Sequence, residues 1–317
     1  MNKRYIYLLT VFSCIFLSCN SKKTEITVQV PLGDPFIMLH NDIYYAYGTH
    51  APNGIEVYTS SNLQTWEKAP ELALHAKDSW SADPKNTFWA PEIYYIESKK
   101  KFFMYYSSSE HICVATADYP LGPFVQTEKK PMLEGEKCID NSLFIDDDGK
   151  PYLYFDRFND GLNIWVAELE EDLETIKEST MTQCIHVSQS WEEIWPRVNE
   201  GGFVVKHKGI YYLSYSANSY ESPFYGIGYA TATSAMGPWT KYPNNPIFQK
   251  PDTLTGVGHS AMFRDKDNKL RLVFHAHHSS EKIHPRFMCS TDVVFSDDDI
   301  PVMGISGKIV QGIIHPK

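Results

Sequence analysis

The sequence predicts an all-β chain, folded as a five-bladed β-propeller with an active-site pocket on its axis. Three observations carry this. First, Ile139-Asp-Asn-Ser-Leu-Phe-Ile-Asp-Asp-Asp-Gly-Lys-Pro-Tyr-Leu-Tyr-Phe155 reads as one hairpin, with β-branched and aromatic runs on either side of the turn Asp146–Gly149. Second, that unit recurs four more times, at starts about 50–60 residues apart, the spacing of four-stranded blades. Third, apolar 3.6-residue periodicity never runs for a full helix, apart from a weak stretch at Glu168 to Lys177.

The repeats follow in chain order. Asp34-Pro-Phe-Ile precedes Ile43–Tyr47, and Ala90-Pro-Glu-Ile-Tyr-Tyr precedes Phe102–Tyr106. The central hairpin comes third, with Asp140 just ahead of its first strand. Glu200-Gly-Gly-Phe-Val-Val then precedes Tyr211–Tyr215, and His259-Ser-Ala-Met-Phe precedes Leu270–Phe274. The innermost strand of each blade lines a propeller's channel, so the heads Asp34, Ala90, Asp140, Glu200 and His259 are expected to share one register and face the axis. Longer segments at Leu63 to Phe88, Gln183 to Asn199 and Asn218 to Tyr225 are expected to form the rim of the channel mouth.

Ahead of the first repeat, Met1-Asn2-Lys3-Arg4 is a basic segment and Tyr5 to Leu17 an apolar run too short to span a bilayer as a mature helix. Phe16-Leu17-Ser18-Cys19 resembles a bacterial lipoprotein cleavage box with Cys19 as the lipidated residue. The expected organisation is a signal over 1–18, a tether over 19–29 and one domain over 30–317. This places the chain in the cell envelope, touching the membrane only through a lipid on Cys19.

The formal charge of −10, from 29 basic and 39 acidic residues, disfavours nucleic acid and anionic membrane as partners and suits a neutral ligand. Aromatic residues make up 14% of the chain and include 20 tyrosines, most of them in the repeated strands, where blade-to-blade packing is the first expectation. Cys113, Cys138, Cys184 and Cys289 lack zinc-finger spacing; disulfides and buried free thiols both fit them.

Three carboxylates converging on one point suit glycosidic hydrolysis, in which one carboxylic acid protonates the leaving oxygen and a second carboxylate activates water. The same acids with His259 suit calcium, and Asp34 in Gly33-Asp34-Pro35 suits a turn. Phe88 and Trp89 offer a sugar an apolar face. Trp191 and Trp195 stand where they would wall the mouth or pack a loop, and His275 and His277 share one strand face.

Gly33-Asp34-Pro35, Trp89-Ala90-Pro91-Glu92, Ile139-Asp140-Asn-Ser-Leu-Phe144, Asn199-Glu200-Gly201, Gly258-His259-Ser260 and His284-Pro285-Arg286 together resemble the successive signatures of glycoside hydrolase family 43. The resemblance implies Asp34 as general base, Glu200 as general acid and Asp140 as the residue that orients and tunes the acid; Asn141 stands where the family commonly has proline. It implies His259 beneath the sugar as a calcium or water contact, and Arg286 as a substrate-binding arginine. No cofactor is required on this reading, with a structural calcium near the axis as the one metal it admits. The implied activity is inverting release of a terminal pentose, foremost α-L-arabinofuranose, from plant polysaccharide side chains by a monomer. A β-xylosidase, an arabinan-cleaving member and a non-catalytic carbohydrate-binding propeller are the alternatives.

Overall fold

A computed structural model describes residues 28–81 and 87–314. The expected signal, Cys19 and most of the expected tether lie outside the described residues. The last two tether residues, Val28–Gln29, are a strand, pairing with Ile313–Ile314.

The described chain is all-β, its only helical segments being three short 3-10 turns. The strands form five sheets in a propeller arrangement. The five expected hairpins are the two inner strands of these sheets: Gly33–His40 with Ile43–Thr49, Phe88–Ile96 with Lys101–Ser108, Cys138–Ile145 with Pro151–Phe158, Asn199–His207 with Ile210–Ala217, and Gly258–Arg264 with Leu270–Ala276. In the central hairpin the Asp146 amide donates to the Lys150 carbonyl and the Gly149 amide to that of Asp146, at 3.0 and 2.9 Å. Gly149 has φ +85°, the left-handed conformation this turn needs.

Four-stranded units were the expectation throughout, and four sheets have at least four strands. The second has three, its outer position reduced to a lone bridge between Thr116 and Val125. Nor is Glu168–Lys177 helical. Glu168 ends a strand, Leu169 bridges Ile176, and the Leu173 amide donates back to the Glu170 carbonyl, so a turn absorbs the weak periodicity.

Inner strands of neighbouring sheets touch in sequence order, and the fifth touches the first, which closes a circle. The strand Ile313–Ile314 lies between Val28–Gln29 and Thr65–Trp66, so the first and last described strands complete the first sheet. Fully buried tyrosines bind neighbouring sheets. Tyr47, Tyr105, Tyr154 and Tyr212 donate their hydroxyls to the carbonyls of Pro120, Leu173, Ala235 and Pro301, at 2.5 to 2.7 Å. Each thus buries a large ring and satisfies its one polar atom in the next sheet. The four described cysteines, Cys113, Cys138, Cys184 and Cys289, are free thiols, three of them buried.

Candidate active site

Each inner strand begins with a bulge. The pairing register breaks after Gly33, Trp89, Ile139, Glu200 and Gly258, whose partners on the second strands are Thr49, Ser107, Asp156, Ser216 and His275. The residue after each of these has positive φ: Asp34 46°, Ala90 45°, Asp140 59°, Gly201 61° and His259 47°. Its amide is held by the partner side chain of the preceding sheet. Ala90 donates to Thr49 Oγ1, Asp140 to Ser107 Oγ, Gly201 to Asp156 Oδ2, His259 to Ser216 Oγ and Asp34 to His275 Nδ1, at 2.7 to 3.1 Å. Five equivalent contacts therefore run round the circle.

This ring corrects one expectation. Asp34, Ala90, Asp140 and His259 share a register, but their counterpart in the fourth sheet is Gly201. Glu200 stands one residue earlier, at the position of Gly33, Trp89, Ile139 and Gly258. The register break has the same length in all five strands, so the shared position is fixed by the paired residues beyond it, and Glu200 enters the site from one residue earlier on its strand.

Asp34 is held hardest. Its Oδ1 accepts Arg286 Nη1 at 2.6 Å and its Oδ2 accepts Arg286 Nη2 at 2.9 Å and Thr49 Oγ1 at 2.7 Å. Burial alone would raise its carboxyl, but the Arg286 guanidinium, with His259 and His275, lowers it well below the ordinary value. Arg286, expected to bind substrate, has both terminal nitrogens on this carboxylate and is 8% exposed. Gly33 makes the fit possible, since a Cβ there would lie 2.3 Å from the guanidinium carbon.

Glu200 is the opposite case. Its Oε1 accepts the Tyr225 hydroxyl at 2.7 Å, and its carboxyl is pushed up to about 7. Burial is the main cause; the Tyr225 bond works against it and the Asp34 charge with it. Gly258 admits that tyrosine, because a Cβ there would lie 2.1 Å from its ring. Asp140 is raised well above the ordinary value, first by burial and then by the charges of Glu200 and Asp34. Asp140, expected to tune the acid, and Glu200 repel each other, and Asp140 is itself held towards its protonated form by burial and that repulsion.

These shifts fix a pH dependence. A carboxyl raised in the folded state contributes stability that is fully present below its unfolded value, near 4.3, and is lost as pH rises through its folded value, here about 7. Glu200→Gln removes that loss. Between about pH 5 and about pH 9 the variant is expected to lose ~3 kcal/mol less than the wild type, measured by urea titration. Equal losses in the two proteins would contradict the assignment.

Asp156 was not singled out from the sequence, where it ends an aromatic strand and looks like the start of a polar loop. It is 0% exposed, and its Oδ2 holds the Gly201 amide. Only its pairing opposite Ile139 reveals it.

The remaining candidates divide. Phe88 is 3% exposed and packs against Tyr106 at 6.1 Å, so it is core and presents no face to a sugar. Trp89 is partly exposed and occupies the strand position equivalent to Glu200. His259 Nδ1 lies 3.3 Å from Asp34 Oδ1 and 3.8 Å from Asp140 Oδ2. Burial lowers its pKa, so the ring is neutral. Among the described residues no group of three or more His, Cys, Asp or Glu side chains is arranged to hold a metal, and the Asp34 carboxylate carries Arg286. No step is derived through such an ion. His275, pushed down to about 3 by burial and then by Arg286, is a neutral acceptor for the Asp34 amide. His277 faces the Tyr220 carbonyl at 2.7 Å, so the two histidines serve separate contacts.

In the segment expected to form the rim, Trp195 is 54% exposed, whereas Trp191 packs on Tyr215 and donates to Gln189. A buried ion pair anchors this segment. Lys241 Nζ donates to both Glu192 oxygens at 2.6 and 2.7 Å and to Asn199 Oδ1, next to Glu200, at 2.8 Å. Lys241→Met strands a fully buried carboxylate and is expected to cost about 3 kcal/mol by chemical denaturation. Lys241→Met/Glu192→Gln should recover much of it; no recovery would mean that packing, not charge, holds the loop.

A propeller whose inner strands converge an ionised carboxylate, a carboxyl poised near neutral pH and a third acid has the constellation of a glycoside hydrolase. The family model described as Glycosyl hydrolases family 43 matches residues 25–301, and the chain belongs to that family. A solved structure described as an endo-1,4-beta-xylanase from Bacteroides thetaiotaomicron VPI-5482 is 47% identical, with TM-score 0.86, covering 92% of this chain and 99% of that one. The Beta-D-galactofuranosidase xynD of Aspergillus niger is 26% identical over 88% of this chain and 85% of its own length. An arabinoxylan arabinofuranohydrolase of Paenibacillus polymyxa is 28% identical over 70% of this chain, but the chain spans only 38% of that protein.

Proposed function

We propose that the chain is a five-bladed propeller with its pocket on the axis, and that it releases terminal α-L-arabinofuranose from plant polysaccharide side chains with inversion. Five sheets and five equivalent amide contacts support the blade count. The observation that carries the chemistry is the opposite displacement of two carboxyls in one site, Asp34 down and Glu200 up. Asp34, ionised, takes the proton of the attacking water. Glu200, protonated below about pH 7, gives its proton to the leaving oxygen. Asp140, close to both, orients the acid, and Trp89 supplies an apolar face.

Attack from the face opposite the leaving group inverts the anomeric centre. Proton NMR of the first-formed sugar, before mutarotation, tests this: retained configuration overturns it. Side-by-side assays on aryl α-L-arabinofuranoside, aryl β-D-xyloside, linear arabinan and xylan test the substrate. Turnover of an intact polymer with neither aryl pentoside cleaved would reject terminal release. The 47% identity to a protein described as a xylanase favours β-1,4-linked xylose as the second reading.

The chain is further proposed to act as a monomer, exported and held by lipid on Cys19. The basic and apolar opening and the Phe16–Cys19 box support export. Among the described residues no helix is long and apolar enough to cross a membrane. Mass spectrometry of the mature N-terminus finds the lipid or rejects the anchor.

A further inference from the structure

The segment from Asn218 to Tyr225 is built to hold one ring still. Asn218 is fully buried; its side-chain oxygen accepts the amides of Ile194 and Trp195 at 3.0 and 3.2 Å, and its side-chain nitrogen donates to the carbonyls of Trp191 and Phe224 at 2.7 and 3.1 Å. The Tyr225 amide closes a turn on the Ser222 carbonyl at 3.0 Å. The Tyr225 ring, 0% exposed, fills the slot that Gly258 leaves open and stacks on His275, with centroids 5.6 Å apart and planes 17° from parallel. Its hydroxyl is thereby delivered to Glu200 Oε1 at 2.7 Å, and among the described residues it has no other partner.

That isolation decides where the protons lie. A hydroxyl has one hydrogen, and if Tyr225 accepted a proton from Glu200 its own hydrogen would be buried without an acceptor. Tyr225 therefore donates and Oε1 accepts, so a neutral Glu200 carries its hydrogen on Oε2. Among the described residues Oε2 has no hydrogen-bond partner, and the side chain keeps some surface open, Glu200 being 9% exposed. We propose that Tyr225 is a positioning residue of the site: its hydroxyl occupies Glu200 Oε1 and so fixes the acid's proton on Oε2, the oxygen left free to meet the leaving group. This inference rests on Glu200 being the general acid.

An acid with both oxygens free holds its proton on either one and presents the wrong oxygen part of the time; the tyrosine removes that choice before substrate arrives. In the transfer the Oε2–H bond breaks as the leaving oxygen takes the proton. The charge left on the carboxylate is shared with Oε1, where the Tyr225 donor already stands. Tyr225 keeps its own proton, because burial and then the charges of Glu200 and Asp34 raise its hydroxyl well above the ordinary value. The groups facing Glu200 are Tyr225, Asp34 from the first sheet, Asp140 and Asp156 from the third, and Arg286, just ahead of the strand Phe287–Phe295. Tyr225 also faces His275, Arg286, Asp34 and Asp140.

Tyr225→Phe keeps the ring, its slot and its stack, and removes only the hydroxyl. Without that donor the ionised form of Glu200 is less favoured, so the basic limb of the kcat/KM profile is expected to move upward by about one pH unit. On sugar leaving groups kcat is expected to fall about tenfold, while dinitrophenyl glycosides, which need no proton, stay within about twofold of wild type. An unshifted limb, or equal losses on both substrate classes, would leave Tyr225 a packing residue and overturn the proposal. Infrared spectroscopy of the free enzyme reads the proton directly. The acid-form carboxyl band of Glu200, identified by its absence from Glu200→Gln, is expected at the lower frequency of a carbonyl that accepts a hydrogen bond, and is expected to rise in Tyr225→Phe. A band at the free-carbonyl frequency in the wild type would put the proton on Oε1 and overturn the proposal, whether or not Tyr225→Phe folds. A band unmoved by Tyr225→Phe would overturn it equally. The infrared measurement needs no substrate. A failure of Glu200 as general acid, read from the leaving-group dependence of Glu200→Ala, is therefore distinguishable from a failure of the tyrosine to place the proton.

Discussion

Asp34→Ala is expected to abolish turnover on every glycoside, activated or natural, and to destabilise the fold at the same time. Water must be deprotonated whatever the leaving group, so loss of the base lowers kcat by at least about 10³-fold on polysaccharide and on dinitrophenyl glycosides alike. The stability loss has a separate origin. Arg286 is 8% exposed and its guanidinium is paired bidentately with this carboxylate, so alanine leaves a buried cation without its partner. Such truncations cost about 3–5 kcal/mol. Asp34→Ala/Arg286→Met should recover part of the stability and none of the rate. The pH dependence gives a third check. A carboxyl depressed in the folded state contributes stability that is present above its unfolded value, near 3.9, and is lost as pH falls through its folded value. The gap between wild type and Asp34→Ala should therefore narrow in strong acid. An Asp34→Ala enzyme active on dinitrophenyl substrates would remove Asp34 from the role of base, and an unchanged denaturation midpoint would contradict the ion pair.

Glu200→Ala should separate substrates by their leaving groups. Sugar leaving groups need a proton, and their hydrolysis is expected to slow by about 10³-fold; dinitrophenolate needs none, and its release should stay within about tenfold of wild type. The basic limb near pH 7 should disappear, since the group responsible for it is gone. Tyr225, whose hydroxyl donates to Glu200, helps set that limb, because the bond favours the ionised acid. Equal loss on both substrate classes would show that Glu200 holds the site together and does not deliver the proton.

The sequence by itself determined the five hairpins and the all-β class, and it named three acids that the fold brings within reach of one another's charge. These are local properties: period-two alternation, the Asp-Asp-Asp-Gly turn and short signatures are written in adjacent residues. It also identified the tyrosines as glue between sheets, because so many large amphipathic rings on repeated strands have nowhere else to go. What it did not determine depends on strand register or on contacts between distant segments. Counted back from the first paired residues beyond the break, Phe203 and Ser142, the position in register with Asp140 is Gly201, and Glu200 lies one residue before it. Asp156 became visible only once its strand was laid opposite Ile139. Arg286 meets Asp34 across 252 residues because the fifth sheet closes against the first, and that closure turns an expected substrate contact into the partner of the base. Phe88 reads like a sugar platform beside Trp89, yet neighbours on a strand point to opposite faces, and only the packed structure decides which one meets the core.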